Sequence, residues 1–181
     1  EKPQHPAVEG YRTLRTNLQF LKLEGDHHTI LFTSAGPEEG KSTVMVNLGA
    51  ALSEMGKKVL LVEADLRRPV LSQYFQTVPE LGLTGVITGT ISLGDAVQST
   101  PYKNLYVLPA GVKPPNPAEL VASENMRELL EEVKGQADYV LVDSPPALAA
   151  SDSLAMAPVV DGVLVVSKYG AAERDNARRT V

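Results

Sequence analysis

Cysteine is absent from the 181 residues, which excludes a disulfide framework and thiolate metal sites and suits a reducing compartment such as the cytoplasm. A basic surplus is missing too: 17 lysines and arginines stand against 22 aspartates and glutamates, for a formal net charge of −5. Nucleic-acid recognition leaves a positive footprint, so nucleic acid is set aside as a partner, and any polyanion must be met by a small local site. No apolar run approaches the roughly 18 residues of a membrane span, and the opening EKPQHPAVEG lacks the apolar core of a signal peptide. The expectation is a soluble chain. No repeat or low-complexity segment interrupts it. With 43% hydrophobic residues, it can bury one good core and is too short for two domains of ordinary size.

What is present is an alternation of apolar runs and helical stripes. Residues 1–6 hold two prolines and no pattern, and read as the end of a linker; residues 7–181 read as one domain. In 8–25, Tyr11, Leu14, Leu18 and Leu21 recur at spacings of three and four, the stripe of an amphipathic helix, with Gly25 as its stop. TILFTSA (29–35) is a strand, 44–55 a helix closed by Gly56, and KKVLLVEAD (57–65) a second strand. Three short helices are expected over 70–75, 83–87 and 93–97. NLYVLPAG (104–111) follows as a strand, then a helix over 116–135 with Asn116 as N-cap and Pro117 at its first position. Strands over 137–146 and 161–170 flank a short helix at 151–158, and 171–181 begins another helix. Strands apolar on both faces and alternating with helices predict an α/β fold, a doubly wound and mainly parallel sheet flanked by helices. Because the last helix would normally cross over to a further strand, the domain is expected to continue past Val181.

The stretch AGPEEGKST (35–43) fits the P-loop pattern, with Ala35 in the first small position and Gly40, Lys41 and Ser42 closing it. A strand precedes it and a helix follows. In such a loop backbone N–H groups turn onto phosphate oxygens, the helix adds its N-terminal dipole, the lysine reaches the β and γ phosphates, and the hydroxyl ligates Mg²⁺. Gly36, Pro37, Glu38, Glu39, Gly40, Lys41, Ser42 and Thr43 are therefore the expected nucleotide-binding residues, with ATP and Mg²⁺ as cofactors. The fold expected is P-loop NTPase-like. DYVLVDSPP ends an apolar strand in Asp143, placed to orient the metal beside Ser42. VLLVEADLRRP likewise ends an apolar run in two carboxylates, Glu63 and Asp65, followed by Arg67 and Arg68. Burying four charges at the mouth of a core is costly unless they meet partners. The two arginines either bridge to nearby acids in a solvated turn or contact phosphate or a partner.

That second strand resembles the extra acidic motif of the bacterial tyrosine kinases, the P-loop autokinases of capsule and exopolysaccharide export. EGYRTLRTN, LPAGVKPPNPAELVAS and DSPPALAASDSLAMAPVVDGVLVV extend the resemblance over nearly the whole chain. It implies that Lys41, Ser42 and Thr43 hold ATP and Mg²⁺, that Ser42, Asp65 and Asp143 serve the metal, and that Lys41, Glu63 and Asp65 are catalytic. Glu63 stands where the family usually has Asp; a methylene longer, it is a slower base, an equal one or a structural acid. Glu9, Arg12 and Arg15 lie at spacings of three; alone they suggest a surface salt bridge, whereas the resemblance implies subunit contacts in a ring-like homo-oligomer. It also implies acceptor tyrosines in a C-terminal tail of a neighbouring subunit, a membrane-spanning polysaccharide copolymerase or adaptor, a tyrosine phosphatase, and a place at the inner face of the plasma membrane. A ParA/MinD-type ATPase would carry a lysine at position 36, which is glycine here; a nucleotide-binding scaffold that has lost catalysis is the other alternative. His27 and His28 read as solvated loop residues, and Asp152 as the cap of the short helix or a nucleotide sensor.

Overall fold

Residues 6–20 and 25–168 are described by the structure, a computed structural model. In chain order the elements are α1 (Pro6–Phe20), β1 (His28–Ser34), α2 (Lys41–Ser53), β2 (Val59–Glu63), α3 (Leu71–Phe75), α4 (Leu83–Ile87) and α5 (Leu93–Ala96). Then come β3 (Gln98–Ser99), β4 (Leu105–Leu108), α6 (Pro117–Val121), α7 (Glu124–Lys134), β5 (Tyr139–Asp143), α8 (Asp152–Met156), a 3₁₀ turn (Ala157–Val159) and β6 (Gly162–Val166). The sheet runs in the order β3-β4-β2-β5-β1-β6, antiparallel only between β3 and β4. Every residue of β2 and β5 is buried, as their unbroken apolar runs require of strands covered on two sides.

Helices fill both faces. On one, Phe32, Leu61 and Leu141 of the sheet pack on Met45, Leu48 and Leu52 of α2. Gly49 makes that approach possible, since a Cβ there would lie 2.9 Å from Leu61 Cδ2. Over α2 lies α1: Leu18 is buried and the Arg15 Nη1 donates to the Ala51 carbonyl at 3.1 Å. On the other face Leu60, Val62 and Val140 meet Met126, Leu129, Leu130 and Val133, which recur at i, i+3, i+4 and i+7 along α7.

Several local expectations are corrected. The helix predicted to start at 44 starts at Lys41, which puts the lysine and serine of the phosphate loop in its first turn. The helix expected over 116–135 is two. Ser123 breaks it by turning to extended backbone and accepting the Met126 N–H, whereas Asn116 makes no cap bond and donates instead to Glu119. β3 has no apolar run to announce it. His28 is the first residue of β1, its ring 5.4 Å from that of Tyr139, and His27 Nδ1 lies 2.7 Å from the Ala137 carbonyl oxygen. Residues 1–5 of the expected linker, Leu21 of the first stripe and the helix expected over 171–181 lie outside the described residues.

Candidate nucleotide site

The carboxyl ends of β1, β2 and β5 meet the amino end of α2, the place where open parallel sheets bind ligands. Glu63 and Asp143 are register partners at the ends of β2 and β5, and the Ala64 N–H donates to the Asp143 carbonyl at 2.8 Å. After β1 the chain turns through 35–40, where Glu38 and Gly40 have positive φ, 60° and 89°. Gly40 is the N-cap of α2, and its left-handed conformation, costly for any side chain, explains the glycine before the lysine.

Lys41, Ser42 and Asp65 line a 520 Å³ cleft, and the fully buried Asp143 is bonded to the first two of them. The Lys41 ammonium, largely buried, donates to Asp143 Oδ1 at 2.7 Å and to Ser42 Oγ at 3.1 Å, and lies 3.8 Å from Asp65 Oδ2. Ser42 donates to the other oxygen of Asp143 at 2.5 Å. Burial drives the Asp143 carboxyl up; the charge and hydrogen bond of Lys41 and the bond from Ser42 oppose this, and the Asp65 charge adds to it. Asp65 is anchored by the Arg68 N–H on Oδ1 at 3.0 Å.

Residues 37–43, Asp65 and Asp143's partner Lys41 thus meet around one space, and Pro37 to Thr43 all line the cleft. The Gly36 N–H is instead taken by Glu39 Oε1 at 3.0 Å. Glu63 goes elsewhere. Its carboxylate, fully buried, accepts the N–H groups of Val70 and Leu71 on Oε1 and of Ala110 on Oε2, the last at 3.2 Å. Arg67 grips Asp152 with two bonds of 3.0 and 3.1 Å, so it bridges to an acid as one reading of the turn required. Asp152 is the first residue of α8 rather than its cap, which is Ser151. Arg68 faces the cleft. Glu9 and Arg12 form an exposed ion pair of 3.3 Å away from these residues.

The opposite wall of the cleft was not foreseen. Val70, Gln73 and Tyr74 line it, and the Tyr74 hydroxyl lies 2.9 Å from Thr43 Oγ1. The only sequence signal was the short apolar patch of α3, which says nothing of its polar face.

These residues fit Mg²⁺ with a nucleotide. Among the described residues no group of three or more His, Cys, Asp or Glu is gathered as a metal cage, and Mg²⁺ characteristically takes one or two carboxylates with waters and substrate phosphates. Two buried carboxylates and a hydroxyl around one ammonium supply that donor set.

A family model described as an AAA domain matches residues 30–173. The chain is 40% identical over 178 residues to the tyrosine-protein kinase YwqD of Bacillus subtilis, covering 98% of this chain and 75% of that protein. It is 36% identical to the tyrosine-protein kinase Etk of Escherichia coli over 94% of this chain, yet spans only 23% of that longer relative. The solved kinase domain of Escherichia coli Etk superposes with a TM-score of 0.95 at 34% identity, over 99% of this chain and 71% of that one. The MinD protein of Pyrococcus horikoshii, solved with Mg-ADP, reaches 0.66 over 77% of this chain and 57% of that one, at 30% identity, so the MinD-type alternative is not favoured. A chain with this loop, these two acids and these relatives belongs to the bacterial tyrosine kinase family.

Proposed function

We propose that the domain transfers the γ-phosphoryl group of ATP to tyrosines in the C-terminal tail of a neighbouring copy, and that this autophosphorylation regulates polysaccharide synthesis and export. The observation that carries the reading is the convergence of Lys41, Ser42, Asp65 and Asp143 beneath the phosphate loop. In this reading the N–H groups of residues 38–43 receive the phosphates and Lys41 moves from Asp143 onto them. Ser42, Asp65 and Asp143 would hold Mg²⁺, which when bound would neutralise charge on the transferring phosphoryl oxygens. A phenol with a pKa of about 10 arrives neutral and needs a proton acceptor. Of the two acids at the end of the second strand's run, Glu63 and Asp65, it is Asp65 that lines the cleft, so proton acceptance falls to it, and Glu63 acts as a structural acid.

Other copies of the chain, a membrane-spanning copolymerase or adaptor segment and a tyrosine phosphatase complete the proposed setting, at the cytoplasmic face of the plasma membrane. Among the described residues no helix is long and apolar enough to cross a membrane. Glu9 and Arg12, exposed and paired, are the proposed subunit contact; Arg15 holds α1 on α2.

Incubation with Mg·[γ-³²P]ATP tests the reaction. Label should appear on tyrosine, and Lys41→Met should abolish it. Free phosphate without phosphotyrosine would indicate an ATPase switch, and bound nucleotide without either product a scaffold.

A further inference from the structure

Asp143 is fixed by the sheet: it ends β5, between β1 and β2. Asp65 is held less directly: it lies two residues beyond the end of β2, one past Ala64, whose N–H still donates to the Asp143 carbonyl at 2.8 Å. The ladder stops there, so the turn that follows helps to set the distance between these carboxylates. Within the turn, the Arg68 N–H holds Asp65 Oδ1. Between the turn and the rest of the molecule stands Arg67, whose Nε and Nη2 meet Asp152 Oδ2 and Oδ1 at 3.1 and 3.0 Å.

Asp152 is fully buried while the Arg67 side chain is 45% exposed. The carboxylate is therefore the fixed end, set at the start of α8, and the planar fork dictates where the arginine backbone must stand. Asp152 also follows Asp143 along the chain, after a segment whose first part is tied to β1 by the Ser144 and Ala147 N–H groups on the Phe32 and Ser34 carbonyls. The bridge thus joins the segment leaving β2 to the segment leaving β5, closing a ring through the two acids that flank Lys41 Nζ at 2.7 and 3.8 Å. Neither bridge residue lines the cleft.

The geometry points to Arg67 and Asp152 as a positioning pair that sets the spacing of Asp65 and Asp143 for a divalent cation, an inference that rests on the Mg·nucleotide reading of the cleft. Partners that orient ligands without touching the ion commonly change metal affinity by about 10- to 100-fold when removed. A lysine at position 67 keeps the charge and loses the fork, so Arg67→Lys isolates geometry from charge; Asp152→Asn tests the other end.

The test is ADP binding to the wild type and both variants, in EDTA and then across a Mg²⁺ titration, with thermal melts to verify folding. Expected is unchanged ADP affinity in EDTA, with the half-maximal Mg²⁺ concentration raised by about 10- to 100-fold in Arg67→Lys. A loosened fold would instead lower ADP affinity equally with and without Mg²⁺, and that result overturns the inference. So does a wild-type Mg²⁺ response that persists unshifted in Arg67→Lys, which leaves the nucleotide site standing. A wild type whose ADP binding ignores Mg²⁺ overturns the site reading and the pair together. If Asp152→Asn does not fold, Arg67→Lys decides.

Discussion

Glu63 and Asp65 stand two residues apart and their carboxylates go different ways. Side chains at i and i+2 of an extended strand share a face, so the sequence offers both acids to the cleft equally. What separates them is the backbone of Val70, Leu71 and Ala110, whose N–H groups take the longer side chain; no local pattern announces those donors. Replacing Glu63 by Ala should leave them without an acceptor, at about 1–3 kcal/mol for each buried group that finds no water. Urea denaturation checks this. Tyrosine phosphorylation per folded molecule should persist, and a stable Glu63→Ala protein that has lost it would return Glu63 to the role of base. Burial raises the Glu63 carboxyl, the N–H groups of Leu71, Val70 and Ala110 oppose, and the charge of Asp143 raises it further. Since the folded value lies above 4.5, its contribution to stability is complete below that pH and declines as pH rises through the folded value. The gap between wild type and Glu63→Ala should narrow over that window. By contrast, Lys41, Ser42 and Asp143 were legible, because a phosphate loop and an acid at a strand end are local patterns with one geometric outcome.

Among elements, the strands were legible where burial is two-sided and the helices where one face is. β2 and β5 are apolar runs closed by an acid, β1 centres on Ile30, Leu31 and Phe32, and α7 is a clean stripe. Boundaries depended on single bonds instead: Ser123 splits the 116–135 helix by accepting the Met126 N–H, and β3 exists because Gln98 and Ser99 find β4. Asp138 shows the same dependence in energetic form. Its carboxylate accepts the Lys58 N–H at 2.7 Å and the Lys57 ammonium at 3.2 Å, joining the start of β2 to the start of β5. The Lys58 N–H chiefly holds its pKa below 3.8; burial opposes and Lys57 assists. A lowered pKa gives stability that is present above 3.8 and lost as pH falls through the folded value. Charge-assisted bonds contribute about 1.5–3 kcal/mol, and solvent screening of a side chain that is 33% exposed brings Asp138→Asn to about 1 kcal/mol at neutral pH. That difference should vanish in strong acid. A pH-independent difference would mean that the carboxylate charge is not its source.

At the scale of the molecule, transfer between neighbours requires that copies meet. Glu9 and Arg12 contribute at most a few tenths of a kcal/mol as an exposed pair three residues apart, so changing both to Ala should leave the melting temperature nearly unaltered. Self-association should nonetheless fall, as light scattering would detect; unchanged assembly would remove these residues from the interface. Nothing in one chain's periodicity distinguishes a solvated pair from a subunit contact, which is why only the family resemblance pointed there. The most direct measurement mixes isotopically labelled, full-length Lys41→Met protein with unlabelled wild type and Mg·ATP, and maps phosphotyrosine by mass spectrometry. Phosphotyrosine on the labelled, inactive copies is the predicted result. Labelled tyrosines that stay unmodified while the wild type demonstrably binds ATP would contradict transfer between neighbouring copies.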